Sequence, residues 1–386
     1  MPALVRYGEN YDLAGSCNDL QMKDDCLPDA IPAQIARRSD AIGIARVICI
    51  VGVVYVHAWT GRGGADLDAL RSTGQEMFRW VLMEIFGRSA VPLLGFISGW
   101  LVGGSMRTRH WRDHMERKAR TILLPMILWN ILAILFVSGA ARFGTLSAPQ
   151  PQSLIWLAQE IFILTRNPDI NVQMPFLRDL FLCMLAAPLL VRAPGWILWL
   201  VVLVAGGAHV AGYGPPILMR ASILFFFALG MLAQRRGIEQ KVAAWPMIAA
   251  ALPFALLTLA QLFATLRPDI RLPPITAASL DLALRVSAAL FFWRLAWALA
   301  GTGARAALLR LEPFAFFLFC SHLILIWLFG PLLGMAFGRL GDPLYPLYLL
   351  IQPALVLIAV ILIARLLVRV APGAAEILSG GRLKRA

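Results

Sequence analysis

Charge is scarce in this 386-residue chain: Asp, Glu, Lys and Arg together supply 15% of it, against roughly 25% in an ordinary soluble domain. With 59% hydrophobic residues, a soluble fold would have too little polar surface to meet water, which excludes a soluble globular enzyme. Acids are scarcest, 22 against 35 Lys and Arg, for a net charge of +13. The basic residues stand in short clusters between apolar runs. That placement suits loops held against an acidic leaflet, so no nucleic-acid partner is expected. None of the five cysteines has metal-ligand spacing, and no metal site is expected. Cys49, Cys183 and Cys320 lie in apolar runs as small hydrophobes. Cys17 and Cys26 lie in a polar segment expected on the reducing cytosolic side, where a structural disulfide is not favoured. The chain also lacks a phosphate-binding glycine loop, a dinucleotide-binding glycine turn and a His-Glu-Xaa2-His helix. Nucleotide-driven pumping and zinc hydrolysis therefore have no support. No internal repeat is evident, which weighs against a transporter of inverted halves.

What the chain has in abundance is long apolar runs, and its mean hydropathy is +0.72. A helix needs about 20 apolar residues to cross a bilayer core. The runs at 41–60, 81–103, 119–139, 175–192, 195–212, 216–234, 243–265, 277–300, 313–334 and 345–369 meet or approach that length. The expected fold is all-α, a polytopic transmembrane helix bundle of about ten spans. The shorter run 153–165 contains Glu160 and is expected at the interface or as a re-entrant piece. Arg37, Arg38, the Arg107–Arg120 cluster, Arg192, Arg235, Arg236, Lys241, Arg305, Arg310, Arg382, Lys384 and Arg385 fall on one side of this arrangement. That side is assigned to the cytoplasm, with both termini inside. Residues 1–36 read as a flexible polar cytoplasmic segment without a signal peptide, 37–371 as the membrane domain, and 372–386 as a basic cytoplasmic tail.

Ionisable groups inside apolar runs are costly and mark candidate sites. Arg46 and His57 share the first run. Eleven residues make close to three helical turns, so both side chains lie on one face, roughly 16 Å apart along the axis. Snorkelling of Arg46 to lipid phosphate, with His57 in the headgroup layer, is one reading. The other is a polar seam through the membrane, with an anion clamp at one end and a base at the other. His322 lies in the ninth run, and Asp281, Arg285 and Arg294 in the eighth.

The stretch Arg38-Ser39-Asp40-Ala41-Ile42-Gly43-Ile44-Ala45-Arg46, continuing to Val54-Tyr55-Val56-His57, resembles the opening of the membrane acyltransferase 3 family, with Arg, ten residues, then His. Further stretches resemble the family in the expected order. These are Pro92 to Trp100 with its Ser98-Gly99 pair, Arg117-Lys118-Ala119-Arg120 followed by Pro125, Pro175-Phe176-Leu177-Arg178, and Ala315 through His322. The chain departs from the family pattern at Ala315, Phe319 and Pro175, where Ser, Tyr and Trp are usual.

The resemblance implies an enzyme of the bacterial inner membrane. It would move an acyl group, acetyl or succinyl, from a cytoplasmic acyl-CoA to a hydroxyl of an extracytoplasmic glycan, such as a periplasmic glucan or surface polysaccharide. Acyl-CoA is then the donor substrate and no cofactor is bound permanently. The other partners are the glycan acceptor, membrane lipids and proteins of glycan biosynthesis. His57 is the candidate base that takes the hydroxyl proton, with Arg46 beside it in the catalytic seam. Arg117 and Arg120, three apart and so on one helical face, are candidates for the donor phosphates, or else a positive-inside anchor. Arg178, His322 and Ser98 are candidates for substrate contact. Arg178 could equally pair with Asp179, and His322 could bond a neighbouring helix. Two other classes stand against this reading: a transporter or flippase for a glycan or glycolipid without acyl chemistry, and a structural or sensing protein whose buried charges only pair.

Overall fold

The computed structural model describes residues 30–70, 73–88, 91–213, 217–267 and 272–383. Most of the expected N-terminal segment, together with Cys17, Cys26, Arg71, Arg271, Lys384 and Arg385, lies outside the described residues. The described chain is helical, with no strand. Its principal helices are α1 (Ala30–Val56), α2 (Val91–Gly103), α3 (Trp111–Arg142), α4 (Pro175–Arg192), α5 (Gly195–Val210), α6 (Ala221–Arg236), α7 (Met247–Leu266), α8 (Pro274–Leu299), α9 (Arg305–Phe337) and α10 (Tyr345–Val370). Each apolar run read from the sequence falls on one of them, α2 being preceded by a helix at Gly74–Leu82 and a π-helical turn at Met83–Arg88. Seven segments are long and apolar enough to cross a membrane among the described residues. The exceptions are α5 and α6, with 16 residues each, and α4, which carries Arg178, Asp179 and Arg192.

The surface is apolar where a soluble protein's would be polar. On α7, Ile248, Leu252, Leu256, Leu259 and Phe263 are all exposed, and their spacing of three and four sets them on one helical face. On α10, Ile358, Leu362, Leu366 and Val370 form a second exposed stripe. Continuous apolar faces of this kind are stable against hydrocarbon and not against water. The protein is a multi-pass membrane protein.

Inside the bundle, small residues let helices approach closely. A Cβ on Gly99 of α2 would lie 1.9 Å from the Phe227 carbonyl oxygen of α6, and one on Gly230 of α6 would lie 2.0 Å from the Phe96 carbonyl oxygen. The two helices therefore touch backbone to backbone at two reciprocal points. Gly330 and Gly334 of α9 open a slot for the Trp59 ring, which a Cβ at either position would meet at 2.7 or 2.2 Å. Trp59 thus pins the chain just after α1, which ends at Val56 and leaves His57 in the following turn rather than within the helix.

The segment 153–165 contains a short helix, Leu154–Phe162, whose N-terminus is capped by the Ser153 hydroxyl accepting from Trp156 N at 3.1 Å. Ile163, buried with φ of 54°, ends it in a conformation rare for a β-branched residue. The next loop is fixed by the buried Glu160 carboxylate, which accepts from the backbone N–H groups of Asp169 (2.6 Å) and Ile170 (3.2 Å). Burial raises the Glu160 pKa, against the lowering effect of those hydrogen bonds.

Both ends differ from the expected boundaries. Residues 30–36, expected in the polar N-terminal segment, already belong to α1. Part of the expected basic tail forms a helix, Pro372–Leu378, tied to α3 by Trp129 Nε1 donating to the Leu378 carbonyl at 3.0 Å. After it, Ser379 and Leu383 are buried against the bundle.

Candidate active site

Two cavities lie end to end along the bundle. Four helices pass from one to the other. On α1, Arg46 and Ile50 line the first cavity and Val53, Val56 and the adjoining His57 the second. On α2, Ile97, Ser98 and Leu101 line the first, and Val91, Pro92 and Gly95 the second. On α4 and α9 the change occurs at one residue each: Phe176 and Phe319 line both. Their ring centroids are 5.7 Å apart, so an aromatic pair forms part of the wall where the two chambers meet.

The Arg46 cavity is small, about 140 Å³. Its charged lining residues are Arg46, Lys118, Arg382 and Glu312. Arg46 and Glu312 are joined at 3.1 Å, each about one-third exposed or less. Ser98 lines this cavity too, its hydroxyl donating to the Leu94 carbonyl at 2.7 Å. The His57 cavity is larger, about 710 Å³, within the range of roughly 300–1,000 Å³ usual for small-molecule sites. Arg88, Arg220, Arg285, His209, Asn167, Gln173, Tyr213 and Ser222 supply its polar lining with His57. Two of these arginines carry acid partners: Arg88 meets Glu84 at 2.7 Å, and Arg285 grips Asp281 at 2.7 and 2.9 Å. Burial pushes the Arg220 pKa down, helped by the neighbouring Arg285 and opposed by Asp179. The Gln173 Oε1 is buried and has no hydrogen-bond partner among the described residues.

His57 and His322 meet across α1 and α9, with ring centroids 5.3 Å apart. His322 is buried, and its Nδ1 lies 3.1 and 2.9 Å from the carbonyl oxygens of Leu318 and Phe319. A carbonyl oxygen only accepts, so Nδ1 carries the proton in those bonds. In the neutral ring Nε2 is then left with a lone pair. That atom is buried without a hydrogen-bond partner among the described residues, beside the His57 ring.

The structure brings Arg46, Ser98 and His57 of the sequence candidates to the cavity walls, whereas His322 lines neither cavity and lies behind His57 in ring contact with it. Arg117 and Arg120 line neither cavity. Arg120 is exposed and pairs with Glu116 at 2.6 Å. The i, i+3 rule assumes a regular α-helix, whereas a π-helical turn, Ala119–Leu123, begins between the two arginines. Lys118 is the residue of that stretch which lines the cavity. Arg178 also lines neither cavity: it pairs with Asp179 at 2.7 Å and donates to the carbonyls of Ile217 (2.7 Å) and Leu164 (3.1 Å). The fully buried Asp179 accepts from Arg220 N at 2.8 Å. Together they brace the loops that carry Asn167 and Arg220 to the larger cavity. Of the eighth-run charges, Asp281 binds Arg285 and His209, while Arg294 donates to the Trp245 carbonyl at 2.6 Å.

Sequence reasoning did not single out Glu312, Arg382, Arg220 or Arg88 as site residues. Glu312 carried the clearest signal, as an acid at the edge of an otherwise apolar run, next to Pro313. The others read as ordinary anchors at helix ends.

Residues 39–368 match the family model of the acyltransferase domain Acyl_transf_3. The succinoglycan biosynthesis protein ExoH of Rhizobium meliloti (strain 1021) is 30% identical over 372 residues, covering 90% of this chain and 93% of that protein. No solved structure matches. The family match over nearly the whole bundle, around a polar seam that holds two histidines, makes this protein a member of the acyltransferase 3 family, an integral membrane enzyme that transfers acyl groups.

Proposed function

We propose that the protein moves an acyl group, acetyl or succinyl, from a cytoplasmic acyl-CoA to a hydroxyl of an extracytoplasmic glycan, in a bacterial inner membrane. The observation that carries this reading is the pair of end-to-end cavities meeting at Phe176 and Phe319 beside His57 and His322. A transferase joining substrates from opposite faces needs two chambers and one reactive point between them. The relative's role in succinoglycan biosynthesis supports a glycan acceptor.

The basic side of the bundle is taken as cytoplasmic, which makes the Arg46 cavity the inner, donor chamber. At about 140 Å³ it suits a slender chain and not a nucleotide, so the nucleotide end of the donor would remain outside. The larger outer chamber suits a sugar. His57 lines it, in ring contact with His322, and takes the proton of the acceptor hydroxyl. The hydroxyl oxygen attacks the thioester carbonyl carbon, a C–O bond forms and the C–S bond breaks. The coenzyme leaves as a thiol, receiving the proton that His57 held. His322, with Nδ1 fixed on two carbonyls, positions the His57 ring and offers it an acceptor at Nε2.

Mass spectrometry of envelope glycans from cells with and without the protein tests the reading. The expected result is loss of acetyl or succinyl esters without the protein, and release of one free coenzyme A per ester formed in a reconstituted system. Transport of unmodified glycan with no ester formation and no thiol release would instead make the protein a flippase.

A further inference from the structure

The His57 cavity holds a second imidazole. His209 stands in the last turn of α5 and lines the cavity together with Arg285 of α8. The Asp281 carboxylate, one helical turn before Arg285, does not line the cavity and holds both residues from behind. Its Oδ2 accepts from His209 Nε2 at 3.2 Å and from Arg285 Nε at 2.7 Å, and its Oδ1 accepts from Arg285 Nη2 at 2.9 Å. An ionised carboxylate only accepts, so Nε2 carries the proton, and in the neutral ring Nδ1 keeps a lone pair. Nδ1 has no hydrogen-bond partner among the described residues, and the side chain is 22% exposed.

The end of α5 is fixed by its own backbone. Gly212 N donates to the His209 carbonyl at 3.2 Å and Tyr213 N to the Ala208 carbonyl at 3.0 Å, the paired bonds of a Schellman ending. Such an ending needs a left-handed residue, and Gly212 supplies it with φ of 70°. The chain therefore folds back, and the exposed Tyr213 lines the same cavity as His209. An imidazole held by a carboxylate, next to an aromatic ring, is a combination suited to a sugar: the nitrogen meets a hydroxyl, and the aromatic face meets the C–H face of the sugar ring. A plain tie between α5 and α8 would account for the bond at Nε2. It would not account for an unbonded Nδ1 on a residue that lines the cavity, or for the phenol ring beside it.

We propose that the carboxy-terminal end of α5 is a sugar-binding subsite for the acceptor, in which His209 Nδ1 accepts a hydrogen bond from a hydroxyl of a sugar ring seated against Tyr213. Asp281 is a positioning residue that holds the imidazole. Where this subsite holds the ring decides which other hydroxyl reaches His57, so His209 sets the position of the new ester without entering the bond-making step. The proposal rests on the reading of this cavity as the acceptor chamber of an acyltransferase.

The test uses the full chain in nanodiscs, with acetyl-CoA or succinyl-CoA as donor and glycan extracted from cells lacking the protein as acceptor. Initial rates give the KM for glycan, and NMR of the product gives the ester position. His209→Gln sets an amide nitrogen where Nε2 stood, so the bond to Asp281 survives and the acceptor at Nδ1 is lost. It is expected to raise the glycan KM roughly fivefold, the loss of one hydrogen bond, to leave the acyl-CoA KM unchanged and to spread the ester over several hydroxyls. His209→Asn does the reverse, keeping an acceptor near Nδ1 and losing Asp281, and is expected to retain the ester position with a lower Tm. Tyr213→Leu lies outside the Asp281 network and is expected to raise the glycan KM with kcat kept. It carries the comparison if His209→Gln does not yield a folded protein, as judged by its melting curve. Wild-type glycan KM and ester position in folded His209→Gln, or in Tyr213→Leu should the former not fold, overturn the subsite and leave the His209–Asp281 bond as an interhelical tie. A rise confined to the acyl-CoA KM overturns it as well. Wild-type protein that forms no ester with either donor removes the acyltransferase reading, and this inference with it.

Discussion

The two cavities differ in size and in the elements that supply their charged residues. The Arg46 cavity is small and walled by aromatic and aliphatic side chains, with its cations drawn from α1, α3 and the turn after the Pro372–Leu378 helix. The His57 cavity is about five times larger, and its arginines come from the segments before α2 and α6 and from the middle of α8. One suits a thin chain with an anionic end; the other suits a ring with several hydroxyls. Phe176 and Phe319 belong to both walls, so the two cavities adjoin beside this aromatic pair. Cations line both cavities, so the difference that separates them is one of size and not of the sign of charge.

The strongest way to break this comparison is at the point where the chambers meet. His57→Ala is expected to reduce ester formation by about 10²–10⁴-fold, the usual contribution of a general base, with coenzyme A affinity close to wild type. Near-normal transfer in a reconstituted assay would remove His57 from the mechanism.

A paired experiment sharpens the division of labour. Arg46→Ala should raise the KM for acyl-CoA by roughly tenfold and leave the acceptor KM nearly unchanged, as expected for loss of a single charged contact. Arg220→Gln should do the opposite, raising the acceptor KM alone. If both substitutions raise the same KM, the two cavities do not divide the substrates.

Phe319→Ala removes half of the aromatic partition. The expected outcome is a ratio of thiol release to ester formation that rises severalfold above one, because water reaches the thioester. A ratio unchanged from wild type would show that the partition does not control water.

The smallest effect concerns the loop that supplies Asn167 and Gln173. Burial raises the Glu160 pKa in the folded protein, so the folded state holds the proton more tightly than the unfolded chain. This contribution favours the fold below the ordinary glutamate value of 4.5 and is lost as pH rises through the raised value. Glu160→Gln should therefore flatten the dependence of Tm on pH above 4.5. An unchanged slope would show that the carboxylate pays no burial penalty.

Legibility in the sequence follows the kind of signal each residue gives. Arg46 and His57 stood out because charge inside an apolar run has few bland explanations, and a helical spacing of eleven set them on one face. His322 was visible for the same reason. Arg117 and Arg120 were attractive on spacing, yet a π-helical turn, which no residue pattern announced, changes the register between them and leaves Lys118 in the cavity wall. Arg382 could not be distinguished from an ordinary basic tail, because its place depends on a glycine turn packed against Thr121. Arg178 could be read either as a substrate contact or as a partner of Asp179; the structure shows the pair, and its further partners, the carbonyls of Leu164 and Ile217, come from distant loops that no spacing announces.

Hydrophobicity and residue spacing alone determined that this chain is a helical membrane protein with ionisable groups in its first and ninth apolar runs, because both properties are local and additive along the chain. Which of those groups share a cavity was decided only by tertiary structure. Cavities arise where helices remote in sequence cross at particular angles and registers, and a change of one residue in register moves a side chain from the seam to the lipid.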